Sequence, residues 1–324
     1  MISRLFLIFF IASELCYYLL IAQTGIVEYF SSNIFLIAPL PIGGVLGSLL
    51  VPFLKIENRN KIFIFLTVQL IMSFIYPNFN FVTLFILGLS VGSIAPLIIN
   101  EIKKTSPLEL GLALSLSYTT GTLLFNYDVG QRGFIAITLT IITIIASLFL
   151  PQKNYKKELN NTNHSLFLMI LWVFLDSSLF ESLSRDVSIS IWRDGFNFEI
   201  ALFHIIGVFC AIYLKLEKNQ KELLVLTLFA LSYLFYFLRE GFILSIIYPF
   251  IISYYNVIIL QTIRKKEFKT IALYMIGIGW MASGGGLFIA LSNLILFIPI
   301  ILLIAIFKIM LSEYKPNNKE IEYV

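Results

Sequence analysis

Apolar runs long enough to cross a bilayer follow one another along almost the whole chain, at about residues 4–25, 31–54, 61–78, 80–101, 107–125, 132–151, 165–184, 198–215, 221–239, 241–263, 268–291 and 293–311. About twenty apolar residues in a helix match the roughly 30 Å hydrocarbon core, and a helix satisfies its own backbone polar groups there. Twelve spans result, or ten to eleven if two of the runs are fused or re-entrant. The remaining composition excludes a soluble chain. Only 13% of residues are charged against 59% hydrophobic, where soluble domains carry about 25% charged residues. Those charges fall in short tracts between the runs, which leaves no charged surface for a large soluble core.

The basic residues divide by side. If both termini lie inside, only Arg132, Arg185, Arg193 and Arg239 fall outside, and the other nineteen of the 23 Lys and Arg lie at cytoplasmic ends and loops. The positive-inside rule predicts this asymmetry, and losing one span would scramble it. The positive net charge therefore reflects topology and calls for no nucleic-acid partner.

The opening MISRLFLIFFIASEL has one basic residue before an apolar run, but hydrophobicity continues past residue 20 with no small-x-small cleavage site, so it reads as a retained first span. Cys16 and Cys210 lie inside apolar runs, far from any CxxC or Cys/His grouping, and read as small buried hydrophobes.

The polar tract QKNYKKELNNTNHS, residues 152–165, divides the spans into two sets of six. A faint repeat agrees with it. GSLLVPFLKIENRNK begins at Gly47 and GVFCAIYLKLEKNQK at Gly207, each with Lys eight, Glu ten and Lys fourteen residues on. PLIINEIKK from Pro96 and NVIILQTIRKK from Asn256 keep the same offset of 160 residues. The expected organisation is an N-terminal six-helix bundle over 1–151, a cytoplasmic linker over 152–164, a C-terminal six-helix bundle over 165–311 and a cytoplasmic tail over 312–324.

This plan, with basic turns after spans two and eight, resembles a short, divergent major facilitator superfamily transporter. Span four, FILGLSVGSIAPLIINEIKK, is similar to that family in Gly88, Gly92 and Pro96 ahead of Glu101. Of the family's loop signature after span two, only the basic end is kept, as Arg59 and Lys61; Val51 and Lys55 stand at its glycine and aspartate positions. GLALSLSYTTGTLLF lacks the family's antiporter signature, although Gly111 and Gly121 allow close helix approach. The resemblance implies an all-α polytopic membrane protein of twelve transmembrane helices in two parallel six-helix bundles. It also implies alternating access around a site near the midplane. An acid in span one is frequent among proton-coupled exporters of the family.

Glu14 is such an acid. At mid-depth it costs several kcal/mol if ionised and unpaired, so it is paired, protonated or facing water. Asp176 has the matching depth in span seven. In LWVFLDSSLFESLSRDVS, Asp176, Ser177, Phe180, Glu181, Ser184 and Ser188 spread over about 140° of helix, a polar face suited to lining a cavity. Glu181 lies about 7.5 Å further along and precedes Arg185 by four residues, the order that favours pairing. Glu14, Asp176 and Glu181 are the candidate proton-coupling groups. Arg185 would close a mouth pair with Glu181, with Asp186 at the outer surface.

For solute contact the candidates are Tyr17, Gln69, His204, Tyr254, Tyr255 and Asn256, with Gln23 less specific. Hydroxyl-bearing aromatics beside an amide combine apolar area with hydrogen-bonding reach. Packing alone also accounts for Tyr17 and Tyr18, and for a lone histidine. Arg239 and Glu240 read as residues snorkelling to the interface, and Trp192 with Arg193 and Asp194 as an interfacial anchor. Arg59, Lys61, Pro96 and Arg185 are gating or structural candidates, as are Gly284, Gly285 and Gly286 of GIGWMASGGGLF. No basic residue follows those glycines, so they permit helix contact or bending rather than cradle phosphate.

These features point to a secondary active transporter for a small organic solute of apolar or aromatic character. It would be proton-coupled, monomeric and integral to the cytoplasmic (inner) membrane, with no cofactor and no ATP site. The rival classes are a membrane-embedded lipid-modifying enzyme, which two histidines poorly equip, and a transporter of lipids or metal complexes.

Overall fold

The computed structural model describes residues 2–30, 34–152, 163–186 and 188–314. Most of the expected linker and tail, 153–162 and 315–324, lies outside the described residues. Within them the chain forms twelve helical segments and no strand: α1 (Ile2–Tyr29), α2 (Phe35–Phe53), α3 (Asn58–Ile75), α4 (Phe81–Ile102), α5 (Pro107–Leu124), α6 (Gly133–Ser147), α7 (Leu166–Arg185), α8 (Asn197–Tyr213), α9 (Lys218–Phe237), α10 (Gly241–Ile263), α11 (Phe268–Leu291) and α12 (Ile295–Met310). Each corresponds in order to one apolar run. Seven of them, α1, α2, α4, α7, α9, α10 and α11, are long and apolar enough to cross a membrane. The segments α6, α8 and α12 are shorter apolar helices. The protein is an integral, polytopic membrane protein.

Helix starts follow local chemistry. Asn80 and Thr83 form a reciprocal capping box that opens α4, and Ser106 with Glu109 does the same for α5, where Pro107 occupies the first turn. The Ser165 hydroxyl accepts from Leu168 N–H at the start of α7. Arg239, at φ 62°, turns the chain out of α9.

Two helices contain a widened stretch. Tyr18–Gly25 in α1 and Ile276–Ala282 in α11 are wound as π-helix. Such widening rotates the residues beyond it relative to an α-helical register and occurs often at functional sites.

Packing repeats with an offset of six segments. Contacts of α1 with α5 and α6, of α2 with α4, and of α3 with α4 and α6 are matched by α7 with α11 and α12, α8 with α10, and α9 with α10 and α12. The sequence repeat falls on equivalent places. Glu57 and Glu217 are the N-caps of α3 and α9, and Lys61 and Lys221, four residues on, are both buried. Gly47 presses α2 onto α4 so closely that a Cβ there would stand 2.2 Å from Leu89 O, and at Gly207 one would stand 2.3 Å from Phe250 O of α10. Gly43, Gly88 and Gly92 extend the α2–α4 seam.

Between the two sets, α5 packs on α8 and α11 packs on α2 and α4. On the face carrying most basic turns, Arg264 Nη1 donates to Thr105 O at 3.3 Å. On the opposite face, Asn126 Nδ2 donates to Trp192 O at 2.5 Å and Arg193 pairs with Glu28 at 3.0 Å.

Candidate functional site

A cavity of about 250 Å³ lies where α1, α4 and α5 face α7, α8, α10 and α11. Its wall is mainly apolar, as the sequences of these helices require, with a few polar side chains placed among aliphatic and aromatic ones. Of the predicted site residues, Glu14, Asp176, His204, Tyr255 and Asn256 line it. Tyr18, Gln23, Tyr118, Phe125, Phe180, Trp192 and Trp280 contribute as well.

Glu14 sits one turn before the π segment of α1 and is 2% exposed. Gln69 Nε2 of α3 donates to its Oε2 at 3.0 Å and reaches Thr140 Oγ1 of α6 at 3.3 Å. Gln69 therefore stands behind Glu14, outside the cavity lining, and orients it. Tyr17 also points into the α1–α3 seam, where its hydroxyl meets Ser73 Oγ at 3.2 Å. Tyr18, one residue on, is the tyrosine that reaches the cavity.

Asp176 is held from α10. The Tyr248 hydroxyl donates to Oδ1 at 2.8 Å and the Tyr255 hydroxyl to Oδ2 at 2.6 Å. Seven residues apart, these tyrosines share one face of the helix. Tyr254 is rotated off that face, fully buried beside Phe250, and its hydroxyl has no hydrogen-bond partner. Asn256 lies within interaction range of the Tyr118 and Tyr255 hydroxyls. The ring of His204 stacks on Tyr118 at 4.5 Å and 4°, with Nδ1 2.7 Å from Ser253 Oγ. Neither Glu14 nor Asp176 forms an ion pair among the described residues.

The end of the cavity remote from the basic face is closed by aromatic rings. Trp192 stacks on Phe125 at 4.8 Å and meets Phe180 edge-on at 5.2 Å. The expectation of an interfacial anchor is thus corrected: Trp192 is only 4% exposed, because its loop folds inward and Asn126 holds its carbonyl. Short loops between helices offer no periodicity from which this inward turn can be read.

Glu181 lies beyond the aromatic closure, in a second, more polar cavity shared with Thr24, Glu28, Ser184, Arg185 and Arg193. Its carboxylate is 3.6 Å from Arg185 Nε. The predicted face of α7 is therefore split, with Asp176, Ser177 and Phe180 on the central cavity and Glu181 and Ser184 on the second one. Ser188 lies past the helix and, with Arg239, binds Asp186. Burial acts to raise the Asp186 carboxyl, but hydrogen bonds from Ser188 and Arg239 outweigh it and hold the group below its ordinary range. Arg239 is engaged by this pairing.

The remaining candidates are distributed around the fold. Arg59 donates to Leu148 O, and Lys61 Nζ lies 5.4 Å from the Phe268 ring. Pro96 is buried within α4. A Cβ at Gly284 would meet nothing within 4 Å, one at Gly285 would touch Phe174 at 3.3 Å, and one at Gly286 would overlap Ser177 Cβ of α7 at 2.5 Å. Close approach of α11 to α7 thus requires glycine at 286.

Arg132 was counted among the outer charges, yet it is 1% exposed. Its guanidinium donates to Leu20 O, Thr24 Oγ1, Phe125 O and Tyr127 O, tying the π segment of α1 to the α5–α6 turn. A loop position gave no hint of such burial. Among the described residues no group of three or more His, Cys, Asp or Glu could hold a metal ion.

No protein-family model and no curated protein sequence matches the chain. Its structure is similar to that of the human organic anion transporter MFSD10 (TETRAN), at 14% identity and a TM-score of 0.64, over 95% of this chain and 98% of that one. The proton:xylose symporter XylE matches at 11% identity and 0.61, over 97% and 95%. The nucleoside transporter NupG matches at 14% and 0.59, over 97% and 100%. At these identities the likeness is one of fold, and the fold is that of major facilitator transporters.

Proposed function

We propose that the chain is a proton-coupled secondary transporter that moves a small organic solute across the cytoplasmic (inner) membrane by alternating access, as a monomer with both termini inside. The observation that carries this reading is the meeting of Glu14, from α1, and Asp176, from α7, on the wall of one cavity. These acids come from helices six segments apart and have no basic partner among the described residues. An ionised acid at mid-membrane depth costs about 2.5–3.5 kcal/mol on insertion scales, about a hundredfold in rate if that cost falls on reorientation. Protonation removes it, and release of the proton on the other side resets the carrier.

The six-segment offset in helix pairing supports two parallel bundles, α1–α6 and α7–α12, that rock around the cavity. Fold likeness to transporters supports the same class. The nineteen-to-four distribution of Lys and Arg supports the orientation. Within the cavity, Tyr255 and Asn256 would contact the solute, with His204 beside them, while Gln69, Tyr17 and Tyr254 serve the shape of the wall.

Uptake and efflux in sealed vesicles across a small solute library, with and without an imposed pH gradient, test the reading. Asp176→Asn should abolish gradient-driven accumulation at near-normal protein abundance. Unaffected accumulation in that variant rules Asp176 out as a coupling group.

A further inference from the structure

We propose that the central cavity selects organic cations, an amine or quaternary ammonium group on an apolar one- or two-ring body, over neutral and anionic solutes of the same shape; this substrate class rests on the transport reading above. The ionisable lining is one-sided. It holds the two acids Glu14 and Asp176, and among the described residues no Lys or Arg lines it.

The two carboxyl groups are held by uncharged donors. Asp176 accepts two tyrosine hydroxyls and Glu14 accepts an amide N–H, which fix the oxygens in place and supply no counter-charge. The one imidazole, His204, is already engaged by Ser253 and by the Tyr118 ring. A buried charge is stabilised by a counter-charge, so a cation entering here completes the site. An anion would enter against two carboxyl groups, with no Lys or Arg among the described lining residues to receive it.

Ring faces give a second, independent argument. The wall is rich in aromatic side chains, including Tyr18, Tyr118, Trp192 and Trp280, and desolvated cations are attracted to such faces, Trp most strongly. The negative faces of the same rings repel a carboxylate. A cavity of about 250 Å³ is at the small end of ligand pockets, which limits the body to one or two rings.

The test uses the full chain in nanodiscs and in sealed proteoliposomes, with four probes of similar size: 2-phenylethylamine, benzyltrimethylammonium, 2-phenylethanol and 3-phenylpropanoate. Binding is read from tryptophan fluorescence and thermal shift. Both cations should bind about tenfold or more tighter than the alcohol, and the carboxylate should not compete. Asp176→Asn should lower cation affinity about tenfold while leaving the alcohol within about twofold. Glu14→Gln, whose amide oxygen can still accept from Gln69, supplies a second variant should the first fold poorly. The class is overturned if the carboxylate binds as well as the amine, if neither cation binds folded protein, or if both variants keep the full cation preference.

Uptake of the same labelled probes separates this inference from the one beneath it. Selective binding of cations without gradient-driven accumulation sinks the transport reading and keeps the selectivity. Gradient-driven uptake of the carboxylate or alcohol without cation binding does the reverse.

Discussion

The Tyr255 hydroxyl donates to Asp176 Oδ2 at 2.6 Å, and Tyr248, two turns earlier on the same helix face, donates to Oδ1. Together they fix the carboxylate plane of α7 against α10. A hydrogen bond to a charged group contributes about 1.5–3 kcal/mol, so Tyr255→Phe should reduce gradient-driven uptake by about tenfold to a hundredfold. Initial rates at matched protein abundance check this. A loss below about twofold would place Tyr255 outside the coupling site.

Trp192 closes one end of the cavity against Phe125 and Phe180. Trp192→Ala should open that end. In a background without Cys16 and Cys210, a cysteine placed by Gln23→Cys should react several-fold faster with a membrane-impermeant thiol reagent once Trp192 is truncated. Unchanged labelling would mean that Phe125 and Phe180 close the end by themselves.

Arg132 satisfies four oxygens in the joint between α1 and the α5–α6 turn. Arg132→Met leaves these acceptors buried and unpaired, at about 1–3 kcal/mol each when no water replaces the donor. The melting temperature should fall by several degrees, and Thr24→Ala, which removes one acceptor, should cost less. Equal melting curves for wild type and Arg132→Met would show that the guanidinium does not hold the joint.

Trp280 of α11 lies flat on Gly44 of α2, where a Cβ would come within 2.0 Å of the indole. Gly44→Ala should therefore impair uptake, and Trp280→Ala in the same chain should restore folded yield. Gly47→Ala differs, because its Cβ would meet the backbone oxygen of Leu89 and no side chain can be trimmed to relieve it. A double-mutant cycle measures the coupling; additive losses for Gly44→Ala and Trp280→Ala would refute the contact.

Glu28 and Arg193 form an ion pair with both side chains about 40% exposed. Exposed pairs contribute about 0–1 kcal/mol, so Glu28→Gln should change uptake by less than about fivefold. A larger loss would reveal a gating role for the cavity around Glu181.

Much of this arrangement was legible before any coordinates. Glu14 and Asp176 stand out because an acid in an apolar run is costly, and Glu181 announces Arg185 by its four-residue spacing. The repeat at Gly47 and Gly207 falls on equivalent helix contacts. What could not be read was the direction in which side chains point. In a soluble helix the polar stripe orients the residue, but here packed and lipid-facing sides are both apolar, so neighbours such as Tyr17 and Tyr18, or Tyr254 and Tyr255, carry no mark of which faces the cavity. The π segments compound this by rotating the register at the residues in question. Trp192 and Arg132 were missed for another reason: they sit in loops, where burial is decided by contacts distant in sequence.

The glycine seam between α2 and α4 has a mechanical consequence. Backbone lies against backbone there, with no rotamers to absorb displacement, so the pair is stiff, and the Gly207 contact stiffens α8 against α10 in the same way. Trp280 on Gly44 is of another kind, a flat plate resting on a smooth track. Because that contact is made by a side chain, a rotamer change can relieve it, which the backbone contacts at Gly47 and Gly207 do not allow.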